Sequence, residues 1–113
     1  MVAEDVVFRA IAHPVRRELL GLLARAPRSV KEMTAAFAMS QPAISQHLKE
    51  LREAELVTSE RVGVEQRYRL TPKPLKHVLR WAEPYRTLLD PAGHLWNLQA
   101  AGDGNSVARK VGR

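Results

Sequence analysis

The chain has 113 residues, enough for one domain and one hydrophobic core and too few for a second. Its 18 Lys and Arg against 12 Asp and Glu leave a formal net charge of +6 at pH 7, which favours polyanionic partners without separating nucleic acid from an acidic membrane surface. The absence of cysteine excludes disulfides, thiolate metal sites, cysteine nucleophiles and thiol redox switching, and no run approaches the roughly 18 apolar residues of a membrane span, so a cytoplasmic protein with no membrane partner is expected.

Val6, Val7, Ala10 and Ile11 recur at helical spacing and stop near His13-Pro14, because the residue before proline resists the helical region. Pro14 suits the opening turn of a second helix, where a missing N–H leaves nothing unpaired, and Leu19, Leu20, Leu22 and Leu23 build its apolar face. Gly21 weakens that helix slightly and Ala26-Pro27-Arg28 ends it. Ser29-Val30-Lys31-Glu32 has the form of a capping box, in which serine and glutamate satisfy the first free N–H groups of a third helix with Val30, Met33 and Phe37 on its apolar side. After a tight connection at Ala38-Met39, a fourth helix is predicted over 40–54, with Ser40 as N-cap and Pro42 tolerated in the first turn. Ile44, Leu48 and Leu51 fall at i, i+4 and i+7 and make one buried stripe, leaving Gln46, Lys49 and Glu53 facing away.

Beyond Ala54 the period changes to two. Leu56, Thr58, Glu60 and Val62 alternate with Val57, Ser59 and Arg61, and Gln66, Tyr68 and Leu70 with Glu65, Arg67 and Arg69, which predicts a hairpin over 56–70 turning at Gly63. Helix restarts at Thr71-Pro72 with Leu75, Val78, Leu79 and Ala82 on one side, and Pro84 removes a backbone donor and kinks it. Trp81, Tyr85, Leu88 and Leu89 extend the apolar surface, and Asp90-Pro91 caps a last helix carrying Leu95, Trp96 and Leu98. Residues 102–113 lack periodicity and read as a disordered basic tail, so the domain spans 1–101.

The fold class is therefore mainly α with a small β-hairpin, in the order α-α-α-α-β-β-α of a winged helix-turn-helix. The second helix of such a unit enters the major groove with its N-terminal residues at base edges. Ser40, Gln41, Ser45 and Gln46 are hydrogen-bonding side chains on that half, and Ala43 can touch a thymine methyl, so these five are the candidate base readers. Lys49 and Arg52 suit phosphates, and the wing offers Arg61, Gln66, Arg67 and Arg69 to the backbone. His47, at the margin of the apolar stripe, and Tyr68, alternating inward with Leu70, are read as structural. No Gly-rich phosphate cradle, nucleophile turn or carboxylate pair points to an enzyme. A winged-helix module for protein contact is the rival, and a steep fall of affinity with salt would separate DNA reading from it.

Ala12-His13-Pro14-Val15-Arg16-Arg17 with its leucines, the run SQPAISQHLKEL from Ser40, and Arg67-Tyr68-Arg69-Leu70 together resemble the ArsR-type (ArsR/SmtB) winged helix-turn-helix transcriptional regulators, over residues 8–85. The resemblance implies a bacterial or archaeal homodimer, commonly a repressor, that reads a palindromic operator and pairs its first and last helices across a two-fold axis. The expected interface residues are Val7, Ile11, Leu79, Trp81, Tyr85, Leu88, Leu95 and Trp96, since one thin domain cannot easily bury so many large apolar groups. The cysteine metal motif that many members carry is absent, and no cofactor is required. His77, Glu83, Asp90 and His94 are the remaining metal candidates; their imidazole and oxygen donors suit a nickel or zinc effector, in a spacing that departs from the family's.

Overall fold

The computed structural model describes residues 2–89, which divide after Val78 into two units. In the first, α1 (Glu4–Ile11), α2 (Pro14–Arg25), α3 (Val30–Phe37) and α4 (Gln41–Glu53) follow one another, with a two-residue strand β1 (Arg28–Ser29) between α2 and α3. The wing is β2 (Val57–Val62) and β3 (Glu65–Leu70). A 3-10 turn (Lys73–Leu75) leads into α5 (Lys76–Ala82), within which the boundary between the units falls.

The helix starts follow their capping chemistry. Glu4 and Asp5 lie in the first turn of α1, where the helix dipole favours carboxylates. His13, expected only to mark the end of α1, also caps α2: its Nδ1 accepts the Val15 N–H, with Pro14 behind it as the first helical residue. Ser29 and Glu32 close the predicted capping box, the Ser29 Oγ accepting from the Glu32 N–H at 3.1 Å and the Glu32 carboxylate from the Ser29 N–H at 2.8 Å. That backbone bond is the main reason the Glu32 carboxyl lies below its ordinary pKa; desolvation opposes it, and Arg67, the Ser29 hydroxyl and Arg28 add to the lowering. Ser40 caps α4 through the Ala43 N–H at 3.3 Å.

Both helices of the central pair end in left-handed residues that are not glycine. Ala38, at φ 52°, turns the chain between α3 and α4. Glu55, at φ 60°, closes a Schellman motif: its N–H bonds the Arg52 carbonyl at 2.9 Å and the Leu56 N–H bonds that of Leu51 at 3.0 Å. Leu51 and Leu56 are both fully buried in the core, supplying the apolar contact that accompanies such a cap. Thr71 fastens the same corner, its N–H to the Leu56 carbonyl and its Oγ1 to the Glu55 carbonyl, each at 2.8 Å.

The sheet has three strands in the order β1-β3-β2, all antiparallel. The hairpin register pairs Val57 with Leu70, Ser59 with Tyr68 and Arg61 with Gln66, so Tyr68 and Leu70 pack against the core as the alternation required. Gly63, at φ +64°, takes the first position of a two-residue loop, the conformation that a tight hairpin assigns to glycine. The unforeseen strand β1 pairs Arg28 with Tyr68 and Ser29 with Arg67. Two residues are too short to show a period.

The core joins Val7 and Ala10 of α1, Leu19, Leu20 and Leu23 of α2, Met33 of α3, Ile44, Leu48 and Leu51 of α4, and Ala54, Leu56 and Val57 beyond it. Val7 thereby leaves the expected interface set: with 0% exposure in a single chain it has no surface to offer a partner. In the second unit, Pro84 does more than kink a helix, because the backbone passes from α into a 3-10 helix, Glu83–Leu88. The rings of Trp81 and Tyr85 meet there at 5.7 Å, tilted by 52°, and Leu79, Trp81, Tyr85, Leu88 and Leu89 are exposed. The predicted helix after Asp90, with Leu95 and Trp96, and the tail lie outside the described residues.

Replacing Glu55 with Gly should raise stability by roughly 0.5 to 1 kcal/mol, because glycine adopts the left-handed region without the Cβ penalty. A urea midpoint that falls instead would mean the carboxylate contributes more than the backbone strain costs.

Candidate nucleic-acid interface

Helix α4 presents two chemically distinct sides. Ile44, Leu48 and Leu51 are 0%, 1% and 0% exposed. At about 100° per residue, Gln41, Ser45, Lys49 and Arg52 fall within about 80° of one another on the flank beside that stripe, and all four are exposed, as are Ser40 and Gln46. Ala43 is half-buried. The expected base readers thus share the N-terminal half of one helix, and Lys49 and Arg52 continue their line toward its C-terminal end.

Two of these side chains are held by carboxylates one turn on. Gln46 donates to Glu50 at 3.2 Å, and Lys49 pairs with Glu53 at 3.5 Å with both side chains more than half exposed. Such exposed pairs contribute about 0.3 to 0.5 kcal/mol, so a base edge or phosphate can replace the carboxylate at little cost. Glu50 and Glu53 also line a groove with Val2, Val6, Arg9 and Ala10 of the N-terminal segment, which turns the acidic side of α4 toward α1.

The wing divides its arginines. Arg69 meets Glu60 at 2.7 Å with both side chains more than half exposed, and Arg61, near the tip, donates to the Gly63 carbonyl at 3.3 Å. Both keep their guanidinium groups at the surface. Arg67 is different: it donates to the Pro27 carbonyl and Glu65 at 3.2 Å each and lies 3.6 Å from Glu32, with 30% of its side chain exposed. Its guanidinium ties β3 to the start of α3. Gln66, half-buried, donates to Ser59 Oγ at 3.0 Å, and Arg52 reaches the same hydroxyl at 3.4 Å, joining α4 to the wing.

Arg52 also lines a groove of about 440 Å³ with Thr58, Thr71 and Lys73, side chains that the sequence reading left aside. Their signal was the contact of a strand end with a helix end, which no local period reports. His47 is half-buried and accepts a hydrogen bond from Arg16, in keeping with a structural reading. Among the described residues no group of three His, Asp or Glu side chains comes together to hold a metal ion, and Asp90 and His94 lie outside them.

The family profile of bacterial regulatory proteins of the arsR family matches residues 13–59, from the cap of α2 into the wing. The HTH-type transcriptional repressor SmtB of Mycobacterium tuberculosis is 42% identical over 77 residues, covering 68% of this chain and 57% of that protein. The chain therefore spans little more than half the length of that relative. The transcriptional repressor SdpR of Bacillus subtilis is 35% identical over 75 residues, covering 66% of this chain and 83% of that protein. Among solved structures, the homodimeric winged helix-turn-helix DNA-binding domain of a Mycobacterium bovis protein superposes with a TM-score of 0.62 at 27% identity, covering 80% of this chain and 86% of that one. No helix among the described residues is long and apolar enough to cross a membrane.

Replacing Arg67 with Ala should lower the unfolding free energy by about 1 kcal/mol, since it leaves Glu32 and the Pro27 carbonyl without their cation. Replacing the exposed Arg69 should cost no more than about 0.5 kcal/mol. Equal urea midpoints for the two variants would show that Arg67 is no more structural than Arg69.

Proposed function

Because the chain belongs to the ArsR family of bacterial regulatory proteins, we propose that it is a sequence-specific DNA-binding transcriptional regulator, a homodimeric repressor acting in the cytoplasm on a palindromic operator. The observation that carries the proposal is the outward side of α4, where Gln41, Ser45 and Gln46 stand exposed above a fully buried stripe and beside an arginine-bearing wing. Ser40, Gln41, Ala43, Ser45 and Gln46 read bases. Lys49, Arg52, Arg61 and Arg69 meet phosphates, with Gln66 and Arg67 shaping the wing more than touching DNA.

Dimerisation is supported by the exposed Leu79, Trp81, Tyr85 and Leu88, apolar groups that a single chain leaves in water, and by the homodimeric state of the Mycobacterium bovis domain. Ile11, half-buried, completes the set in this reading, together with Leu95 and Trp96. Two recognition helices related by a two-fold axis would meet half-sites about 34 Å apart, one turn of the duplex. The regulator is not an enzyme in this reading. An effector of nickel or zinc at His77, Glu83, Asp90 and His94 is the finer alternative, and adding each ion to the binding reaction tests it.

Footprinting on the DNA preceding its own coding sequence should protect an inverted repeat, and log affinity should fall with log salt at a slope set by roughly 6 to 10 phosphate contacts. Binding indifferent to salt and sequence would favour a protein-contact module. Replacing Gln46 with Ala should cost roughly 1 to 3 kcal/mol on the protected sequence and little on random DNA. An equal loss on both would remove Gln46 from the base readers.

A further inference from the structure

Three side chains meet where α1 ends, α2 begins and α4 passes. The ring of His13, the cap of α2, lies 4.5 Å from that of His47 on α4, centroid to centroid, tilted by 57°. Arg16 of α2 donates from Nε to Nδ1 of His47 at 3.3 Å, and from Nη1 to the carbonyls of Arg9 and Ala10 at 3.3 and 3.4 Å. Those carbonyls belong to the last turn of α1, where that of Arg9 also accepts the N–H of the C-cap residue Ala12 at 3.3 Å. A single guanidinium therefore joins the end of α1 to the middle of α4.

The hydrogen-bond directions fix the chemistry of both rings. An imidazole whose Nδ1 accepts a hydrogen bond is neutral and carries its proton on Nε2. Nδ1 of His13 accepts from the Val15 N–H at 3.2 Å, and Nδ1 of His47 accepts from Arg16. Neither ring keeps a free lone pair for a metal, and each can take a further proton only at the nitrogen already in use. Protonating His47 turns its acceptor into a donor aimed at a guanidinium and sets two cations face to face. Protonating His13 removes the cap from α2.

The charges bearing on His47 are His13 and Arg16 from the start of α2 and Glu50 from its own helix. From α1 it is the Arg9 and Ala10 carbonyls that meet this group, through Arg16. Burial first, then His13 and Arg16, hold His47 below its ordinary value of 6.5, with Glu50 opposing them. A histidine whose folded-state value is lowered contributes stability above its ordinary value of about 6.5, which is lost as pH falls toward the lowered one.

We propose that His13, Arg16 and His47 form a proton-sensitive clamp that positions α4 against α1 and α2, so that DNA affinity falls when the clamp takes up a proton. The inference rests on the DNA-reading role of α4 proposed above. Arg16 and His47 are positioning residues: they act through Ser45 and Gln46, the exposed neighbours of His47. The sign separates this clamp from simple electrostatics, because added positive charge would otherwise tighten binding to DNA on acidification.

The test measures binding of the full chain to a labelled duplex of the DNA preceding its own coding sequence, at about pH 7.5 and about pH 5.5 with salt held constant, and thermal unfolding at the same two values. Wild type should lose up to about tenfold in affinity for each pH unit below the titration of His47. The variant His47→Asn, whose amide oxygen can accept from Arg16 and does not titrate, should bind comparably at the higher pH and lose little on acidification. Tighter or unchanged binding by wild type at low pH, or an equal loss in the variant, overturns the clamp. If wild type binds no sequence specifically even at the higher pH, it is the DNA reading that fails. The unfolding data then decide: a larger drop in Tm for wild type than for His47→Asn supports the clamp, and equal drops overturn it. Should His47→Asn not fold, His47→Gln takes its place, since its amide also accepts a hydrogen bond, does not titrate and is better tolerated inside a helix. Its pH-dependent loss must then be smaller than that of wild type, and an undiminished loss overturns the clamp.

Discussion

Everything on the surface of α4 is decided by what lies beneath it. Burying Ile44, Leu48 and Leu51 contributes about 1.5 to 3 kcal/mol each, and the three occupy one line at i, i+4 and i+7. Against that, an exposed pair such as Lys49 with Glu53 contributes a few tenths of a kcal/mol and the Ser40 cap about 1. Rotating α4 by one residue would forfeit far more than any surface contact returns. The rotation about the helix axis is therefore set from inside, and Gln41, Ser45, Lys49 and Arg52 face outward as a consequence.

The same ordering of magnitudes explains what could be read from the residues alone. Features that repeat or cap locally, the α4 stripe, the Ser29-Glu32 box, the Ser40 cap and the inward alternation of Tyr68 and Leu70, carry their signal within a few positions of the chain, and all are present in the structure. Strand β1 carries none: Arg28 and Ser29 become a strand only because β3, some 40 residues on, offers free backbone groups beside them. The left-handed Glu55 is equally silent, since a helix end at that conformation is ordinarily signalled by glycine. There the burial of Leu51 and Leu56 and the Thr71 bonds outweigh the local preference of the backbone.

Site legibility divides along the same line. Residue type and helix phase were enough for the exposed face of α4, because exposure follows from phase. They were not enough for the wing, where three arginines in one strand pair look alike in sequence yet differ in company. Arg67 is drawn inward because β1 brings Pro27 and α3 brings Glu32 within its reach, whereas among the described residues Arg61 and Arg69 bond to partners within the hairpin. Val7 was misassigned for a related reason. An apolar residue on a terminal helix serves core or partner equally well until the rotation of that helix is known, and α1 turns Val7 wholly inward.

A rigid stripe fixes how α4 is turned about its axis but leaves its tilt against the first two helices to other contacts. Leucine and isoleucine packing is non-directional, so small tilts change it little. Hydrogen bonds are directional, and Arg16, with one guanidinium on His47 and on two carbonyls at the end of α1, resists the tilt that the stripe permits. A dimer formed through α1 would place that tilt under the control of the interface, since the arginine that reaches α4 is anchored on the last turn of α1. Positions of base-reading side chains need only shift by about an ångström for a hydrogen bond to be lost. The polar contacts between helices, few and individually weak, are therefore where a reader built on an apolar stripe can be adjusted without being unfolded.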